Sequence, residues 1–186
     1  MAEAAIREYA RVKAFHGQTL ERWLSWSEAA GNGLLRVAVG LKAGENQLRD
    51  LMDWLEEISL RDGLDIAAIL STKAICDIET DPRLGRADKL KRIKEQIRRL
   101  RFPRLAQAED AIAVNIRAMK LAPEIHLSVP PGLEGGRLNV EFSVANQAEL
   151  KRLAAALAAA AERDCAQAVF DIMAATRGVS GGGENL

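Results

Sequence analysis

The chain has 186 residues, 48% of them hydrophobic, and its 26 Lys and Arg balance 26 Asp and Glu, so it can bury a core and is neither a polyelectrolyte nor a disordered tail. No apolar run reaches the roughly 18 residues of a membrane span, and the charged opening MAEAAIREYA lacks the apolar centre of a signal peptide, so a cytoplasmic protein with no membrane partner is expected. Aromatic residues are only 4% and Gly and Pro fall at discrete places, which predicts a mostly α (α+β) fold of one ordinary domain or two small ones.

From Glu3 to His16 apolar residues recur at helical spacing, and Gly17 interrupts them. Thr19 is the expected N-cap of a second helix carrying Trp23 and Trp26, which ends at a Gly31-Asn32-Gly33 turn. Trp23 and Trp26, three apart, share a face that serves either as a partner-binding surface or as the anchor of a small N-terminal core. Leu34 to Lys42 fits a short helix or a strand equally. Asn46 is read as the cap of an acidic helix with Leu48, Leu51, Met52, Leu55 and Ile58 on one stripe, and Asp65 as the cap of a further helix that ends at Asp81-Pro82. Cys76 and Cys165, far apart and outside any C-x-x-C pair, read as reduced, packed thiols.

The stretch Arg83 to Arg104, RLGRADKLKRIKEQIRRLRFPR, concentrates the positive charge: ten Lys or Arg against Asp88 and Glu95, about +8. Leu90, Ile93, Ile97 and Leu100 make a narrow apolar seam along it, and Phe102-Pro103 ends it. A second helix is expected from Leu105 to Leu121. After Pro123 the apolar period changes to two: Ile125, Leu127 and Val129, then Leu138, Val140, Phe142 and Val144, separated by PPGLEGG, predict a β-hairpin with one apolar face. A single long helix, capped by the N-Q-A-E of Asn146 to Glu149 and running to Gly178, is expected to cover that face. Within it Ala154 to Ala161 suits a close helix contact. Thus 1–80 form a helical region, 83–121 the basic helix and its successor, and 122–178 the hairpin with the long helix. Residues 179–186, with SGGGENL, resemble a flexible tail and the remnant of a tag-removal site.

The order helix, strand, turn, strand, helix from about Leu105 to Ala160, and the strings EIHLSV and GGRLNVEFSVANQAELKRL, resemble the C-terminal domain of ParB-type chromosome-partition proteins. Gly135, Gly136, Leu138, Val140, Glu141, Phe142, Glu149, Leu150 and Leu153 stand at the matching places. The resemblance implies a homodimer in which hairpins join into one sheet and terminal helices pack across a two-fold, with Leu138, Val140, Phe142, Leu150, Leu153 and Leu157 at the interface. Independently, a two-stranded sheet with an open edge is completed economically by a second copy of itself. The family's G-E-R-R-x-x-A nucleotide motif does not occur here, so its nucleotide chemistry is not carried over. The chain reads as a shortened relative or a fragment.

Nothing in the sequence assembles an active site. His16 and His126 are far apart, and H-E-x-x-H, a P-loop and G-x-G-x-x-G are missing, so no catalysis, no cofactor and no metal are expected. The basic stretch points instead to nucleic acid. Arg83, Arg86, Lys91, Arg92, Lys94, Arg98, Arg99, Arg101 and Arg104 are the candidate contacts to duplex DNA, mainly to phosphate because the patch lacks aromatics for stacking; the protein would then be nucleoid-associated. The competing reading is a protein-protein adaptor whose basic helix packs on the acidic Glu45 to Asp65 helix of its own chain or of a partner.

Overall fold

The computed structural model describes residues 2–180 and shows a mostly α protein with one β-hairpin. The chain divides into two compact units, Met1–Arg101 and Phe102–Leu186. That boundary falls inside the expected 83–121 segment, between its two helices. Phe102 leaves the helical region at φ −121°, ψ 66°, and Pro103 then starts the next helix, as the steric demand of proline on its predecessor requires.

The first unit holds α1 (Ala2–Val12), α2 (Gly17–Leu24), α3 (Glu28–Leu41), α4 (Glu45–Asp62), α5 (Ile66–Leu70), α6 (Lys73–Thr80) and α7 (Arg86–Arg101). Its centre is α3, which buries Ala30, Leu34, Val37, Ala38 and Leu41 on one broad face and leaves Glu28, Asn32, Arg36 and Val39 on the exposed one, as suits an amphipathic helix. The sequence suggested a turn at Gly31-Asn32-Gly33 and left Leu34 to Lys42 open between helix and strand; one continuous helix spans both, with the Ser27 side chain accepting from the Ala30 N–H. The glycines are there for packing. A Cβ on Gly31 would lie 3.2 Å from Ile6 Cδ1, and one on Gly33 3.2 Å from Leu70 Cδ1, so their absence lets α1 and α5 approach. That contact outweighs a propensity cost of about 1 kcal/mol per glycine.

Three further boundaries differ from expectation. α1 stops at Val12, where the chain turns through Ala14 at φ 53°. α2 starts two residues before Thr19, which is buried in its first turn rather than capping it, and ends at Leu24. α4 is capped by Gly44, whose N–H donates to Gln47 Oε1 at 3.0 Å, so Asn46 is not the cap. Asp65 does cap α5, accepting from the Ala67 N–H at 3.2 Å. The core gathers Trp23, Leu34, Val37, Leu48, Leu51, Met52, Leu55, Ile58, Leu70, Ile75, Ile93 and Ile97, and burial of each aliphatic chain contributes about 1.5–3 kcal/mol. Trp23 is fully enclosed, and its Nε1–H donates to the Gly31 carbonyl at 3.2 Å. Trp26 is half-buried with its Nε1–H on Glu56 at 2.7 Å. The pair is therefore an anchor within the core, and Trp23 offers no surface to a partner.

The second unit holds α8 (Pro103–Ala118), β1 (His126–Ser128), a 3-10 turn (Pro131–Gly136), β2 (Asn139–Glu141), α9 (Gln147–Ala161) and α10 (Asp164–Ser180). The strands are antiparallel, pairing His126 with Glu141, Leu127 with Val140 and Ser128 with Asn139. They are shorter than the alternation suggested because the connection turns inward. Leu133, at φ 58°, inserts its side chain into the core with Ile112, Met119, Val169 and Met173. α8 and α10 pack on one another and both touch this turn.

The expected single terminal helix is two helices. Glu162 and Arg163 break it, and Arg163 Nη1 donates to the Met119 carbonyl at 2.6 Å, closing the end of α8. The hairpin tip is covered by α10 rather than by the capped helix. Asn146 caps α9 as expected, accepting from the Glu149 N–H at 2.9 Å, while Glu149 accepts from the Ala145 N–H at 2.8 Å. Most of the Ala154 to Ala161 run stays exposed, and only Ala160 is buried, in the cluster with Ala166 and Val169 of α10. The tail expected over 179–186 lies, from residue 181 onward, outside the described residues.

Candidate nucleic-acid interface

α7 docks through its seam, with Ile93 and Ile97 fully buried, Leu90 half-buried and Leu100 in the last turn 37% exposed. Helical geometry then places the intervening cations on the flanks and outer face. The flank towards α4 meets a matching row of carboxylates. Lys94 Nζ lies 2.6 Å from Asp50 Oδ2, and Arg101 Nη2 lies 2.6 Å from Glu57 Oε2. Trp54 sits between those acids on α4, with Lys94 Nζ 5.6 Å and Arg101 Cζ 5.8 Å from its ring centroid, distances at which the ring quadrupole attracts a cation. Arg61 completes the clamp: its guanidinium donates to the Arg101 carbonyl and, at 2.8 Å, to that of Leu100, where the negative end of the α7 dipole favours a cation.

The other candidates divide by environment. Arg98 is half-buried and bonds both oxygens of Glu95 on its own helix at 2.8 Å, which holds that carboxyl below its usual range. Arg99 is half-buried. Arg83, 85% exposed, bonds Asp81 at 2.9 Å through both its guanidinium and its own N–H, and the Asp81 carboxyl is held well below the usual carboxylate range by Arg83. Arg86, Lys91 and Arg92 are exposed. Among the described residues neither Arg86 nor Lys91 meets a carboxylate. Arg104 is exposed on α8, in the other unit. The outward cationic surface on α7 is thus centred on its N-terminal half.

In the second unit the six candidate interface residues separate too. Leu153 is 1% exposed and already packed within the chain. Leu138, Phe142 and Leu157 are half-buried. Val140 and Leu150 are each 45% exposed, and Val144 beside them is 38% exposed.

Sequence reading missed Trp54, Arg61 and Glu45. The signal for Trp54 was present, since positions 50, 54 and 57 share a helix face and alternate acid, aromatic, acid. For Arg61 none was available, because its partners are carbonyls thirty-nine and forty residues away. Glu45 accepts from Thr19 Oγ1 at 2.5 Å and from the His16 N–H at 3.0 Å, with His16 Nδ1 at 2.8 Å. These bonds, the Thr19 hydroxyl first, lower its pKa to about 2. The cluster braces α2 against α4. No helix among the described residues is long and apolar enough to cross a membrane. Comparison with protein-family models, with curated proteins and with solved structures finds no match to this chain.

Proposed function

We propose that this protein is a non-enzymatic, dimeric module of the chromosome-partition type that associates with duplex DNA through phosphate contacts. The observation that carries the reading is the exposed cluster Arg83, Arg86, Lys91 and Arg92 at the N-terminal end of α7, two of whose members meet no carboxylate among the described residues. Cations held on a rigid helix and unneutralised by their own chain bind phosphate by releasing counterions, with little sequence preference. Self-association is supported by the exposed Val140, Val144 and Leu150 and by the two-stranded hairpin, whose outer backbone edges have no strand beside them among the described residues. Two copies would present the cationic cluster twice.

The test is a titration of duplex DNA over a range of salt. Affinity should fall steeply as salt rises, and Arg86→Glu, Lys91→Glu and Arg92→Glu should each weaken binding for every sequence and reduce the salt slope by about 1. Absence of binding at low salt overturns the reading. A protein-protein adaptor would then stand in its place, favoured by a different observation: α4 neutralises Lys94 and Arg101 inside the chain, which accounts for part of the balanced charge without any outside anion. Dimerisation is read by sedimentation. Leu150→Asp should give monomers with unchanged helicity, whereas Leu153→Asp should unfold the second unit, because Leu153 is buried within one chain.

A further inference from the structure

α9 buries Leu153 and Ala160 within the second unit. Beside that buried edge runs another apolar row, Leu150, Ala154, Leu157 and Ala161, at spacings of four, three and four. Such spacing keeps to one helix face and makes the narrow seam of a two-helix contact rather than the broad stripe of a core. Leu150 is 45% exposed, Ala154 and Ala161 are exposed, and Leu157 is half-buried, so packing within the chain leaves the row open. Lys151 stands near one end of it and Glu162 at the other, both exposed, and among the described residues neither has an ion-pair partner in its own chain.

We propose that this row packs antiparallel on the same row of a second copy, across a two-fold axis midway between Ala155 and Ala156. The proposal rests on the dimerisation inferred above and names the helix, its direction and its register. An isologous contact must be self-complementary, residue i meeting j where j meets i, and the row meets that demand in one direction. Antiparallel, Leu150 faces Ala161 of the second copy and Ala154 faces Leu157 of the second copy, so a large side chain meets a small one at each level. Parallel pairing would set leucine on leucine and alanine on alanine, alternating crowding with gaps that a close-packed contact does not tolerate. The charges select the same direction. Antiparallel pairing brings Lys151 to Glu162 of the second copy, and the two-fold repeats the pair, whereas parallel pairing gathers both lysines at one end and both glutamates at the other. This reciprocity is what chooses a second copy as the occupant, since an unrelated helix has no reason to match both the sizes and the charges. The exposed Val140 and Val144 lie in the stretch that leads into α9 and extend the apolar surface towards the hairpin.

The experiment is sedimentation equilibrium of the full chain at neutral pH and low salt, with circular dichroism to follow the fold. Lys151→Glu and Glu162→Lys should each weaken the dimer about tenfold, because each reversal sets like charges together at two places. The double variant should return to within twofold of the parent protein. Ala154→Glu, a change at an exposed position, should give monomers of unchanged helicity. A parent protein that sediments as a monomer overturns the dimer reading and this contact together. A dimer that survives Ala154→Glu overturns the α9 contact and leaves dimerisation standing. Charge variants that the double change does not rescue overturn the antiparallel register.

Discussion

Glu45 carries much of the attachment of α2 to α4, and its behaviour is set by three donors rather than by burial among apolar groups. Its carboxyl titrates near 2 against an ordinary 4.5, so the folded state favours the ionised form. A depressed carboxyl contributes stability that is full above about 4.5 and is lost as pH falls towards 2. Glu45→Gln should therefore lower the thermal midpoint at neutral pH, and the gap from the parent protein should close between pH 4.5 and 2. A gap independent of pH would show that the hydrogen bonds, not the charge, matter. Lys42 presents a different local balance: it caps α3 in the left-handed region at φ 53° with its side chain exposed, a conformation that costs a non-glycine residue about 1 kcal/mol. Lys42→Gly should stabilise the first unit by about 0.5–1 kcal/mol in urea unfolding. At this scale the sequence was readable where a residue acts on its neighbours, as Asp65 and Asn146 do on the N–H groups two and three residues on. Thr19 was misread as a cap because its partner is twenty-six residues away.

The α4 and α7 pair joins a legible apolar stripe to a legible charge pattern, and the structure decides how they combine. The Ile93 and Ile97 seam was evident in the spacing, as were the acids of α4. What sequence alone left open was whether those acids would meet the arginines, and the answer divides α7 lengthwise. Its α4 flank is met by Asp50, Trp54 and Glu57, while Arg86, Lys91 and Arg92 stay exposed. If α7 meets phosphate, Asp50 and Glu57 compete with the nucleic acid for Lys94 and Arg101. Asp50→Asn with Glu57→Gln should then raise duplex affinity and steepen the salt slope by about 1–2, whereas an unchanged slope would show that geometry keeps those two cations from the duplex. Ile97→Ala should cost about 2–4 kcal/mol, since a buried aliphatic is removed from a packed seam. The break between α9 and α10 was hidden from the pattern. No Gly or Pro marks it, and the Arg163 contact with Met119 that fixes it is tertiary.

Across the whole molecule the charge separation is mostly resolved inside one unit. Residues 1–101 contain eighteen Lys or Arg and sixteen Asp or Glu, so the acids of α4 and its neighbours offset most of the charge on α7. Each unit has its own buried cluster, and a protein of residues 1–101 should fold alone with helical circular dichroism and one cooperative melt. A broad, non-cooperative transition would mean that the first core is incomplete without the rest of the chain. The α-rich class and the hairpin could be read from composition and from the change of period at Pro123. The unit boundary was less legible, because the basic helix and its successor form one run of helical pattern interrupted only by Phe102-Pro103.

The inward turn of Leu133 affects the order of events during synthesis. Hairpins usually close through their own strands, but this one has three-residue strands and is fixed chiefly by its tip, which lodges between α8 and α10. Contacts between α8 and α10 span some fifty residues of chain, and such distant pairings form late. As the polypeptide emerges, the hairpin and the alanine-rich α9 are made before the helix that receives Leu133. For that interval the second unit is a set of loosely tethered pieces with Val140, Val144 and Leu150 in water, while the first unit already has a finished core. A nascent chain arrested just before α10 should therefore be cut by protease throughout 122–163 while 1–101 resists, and completion of α10 should restore protection at the hairpin.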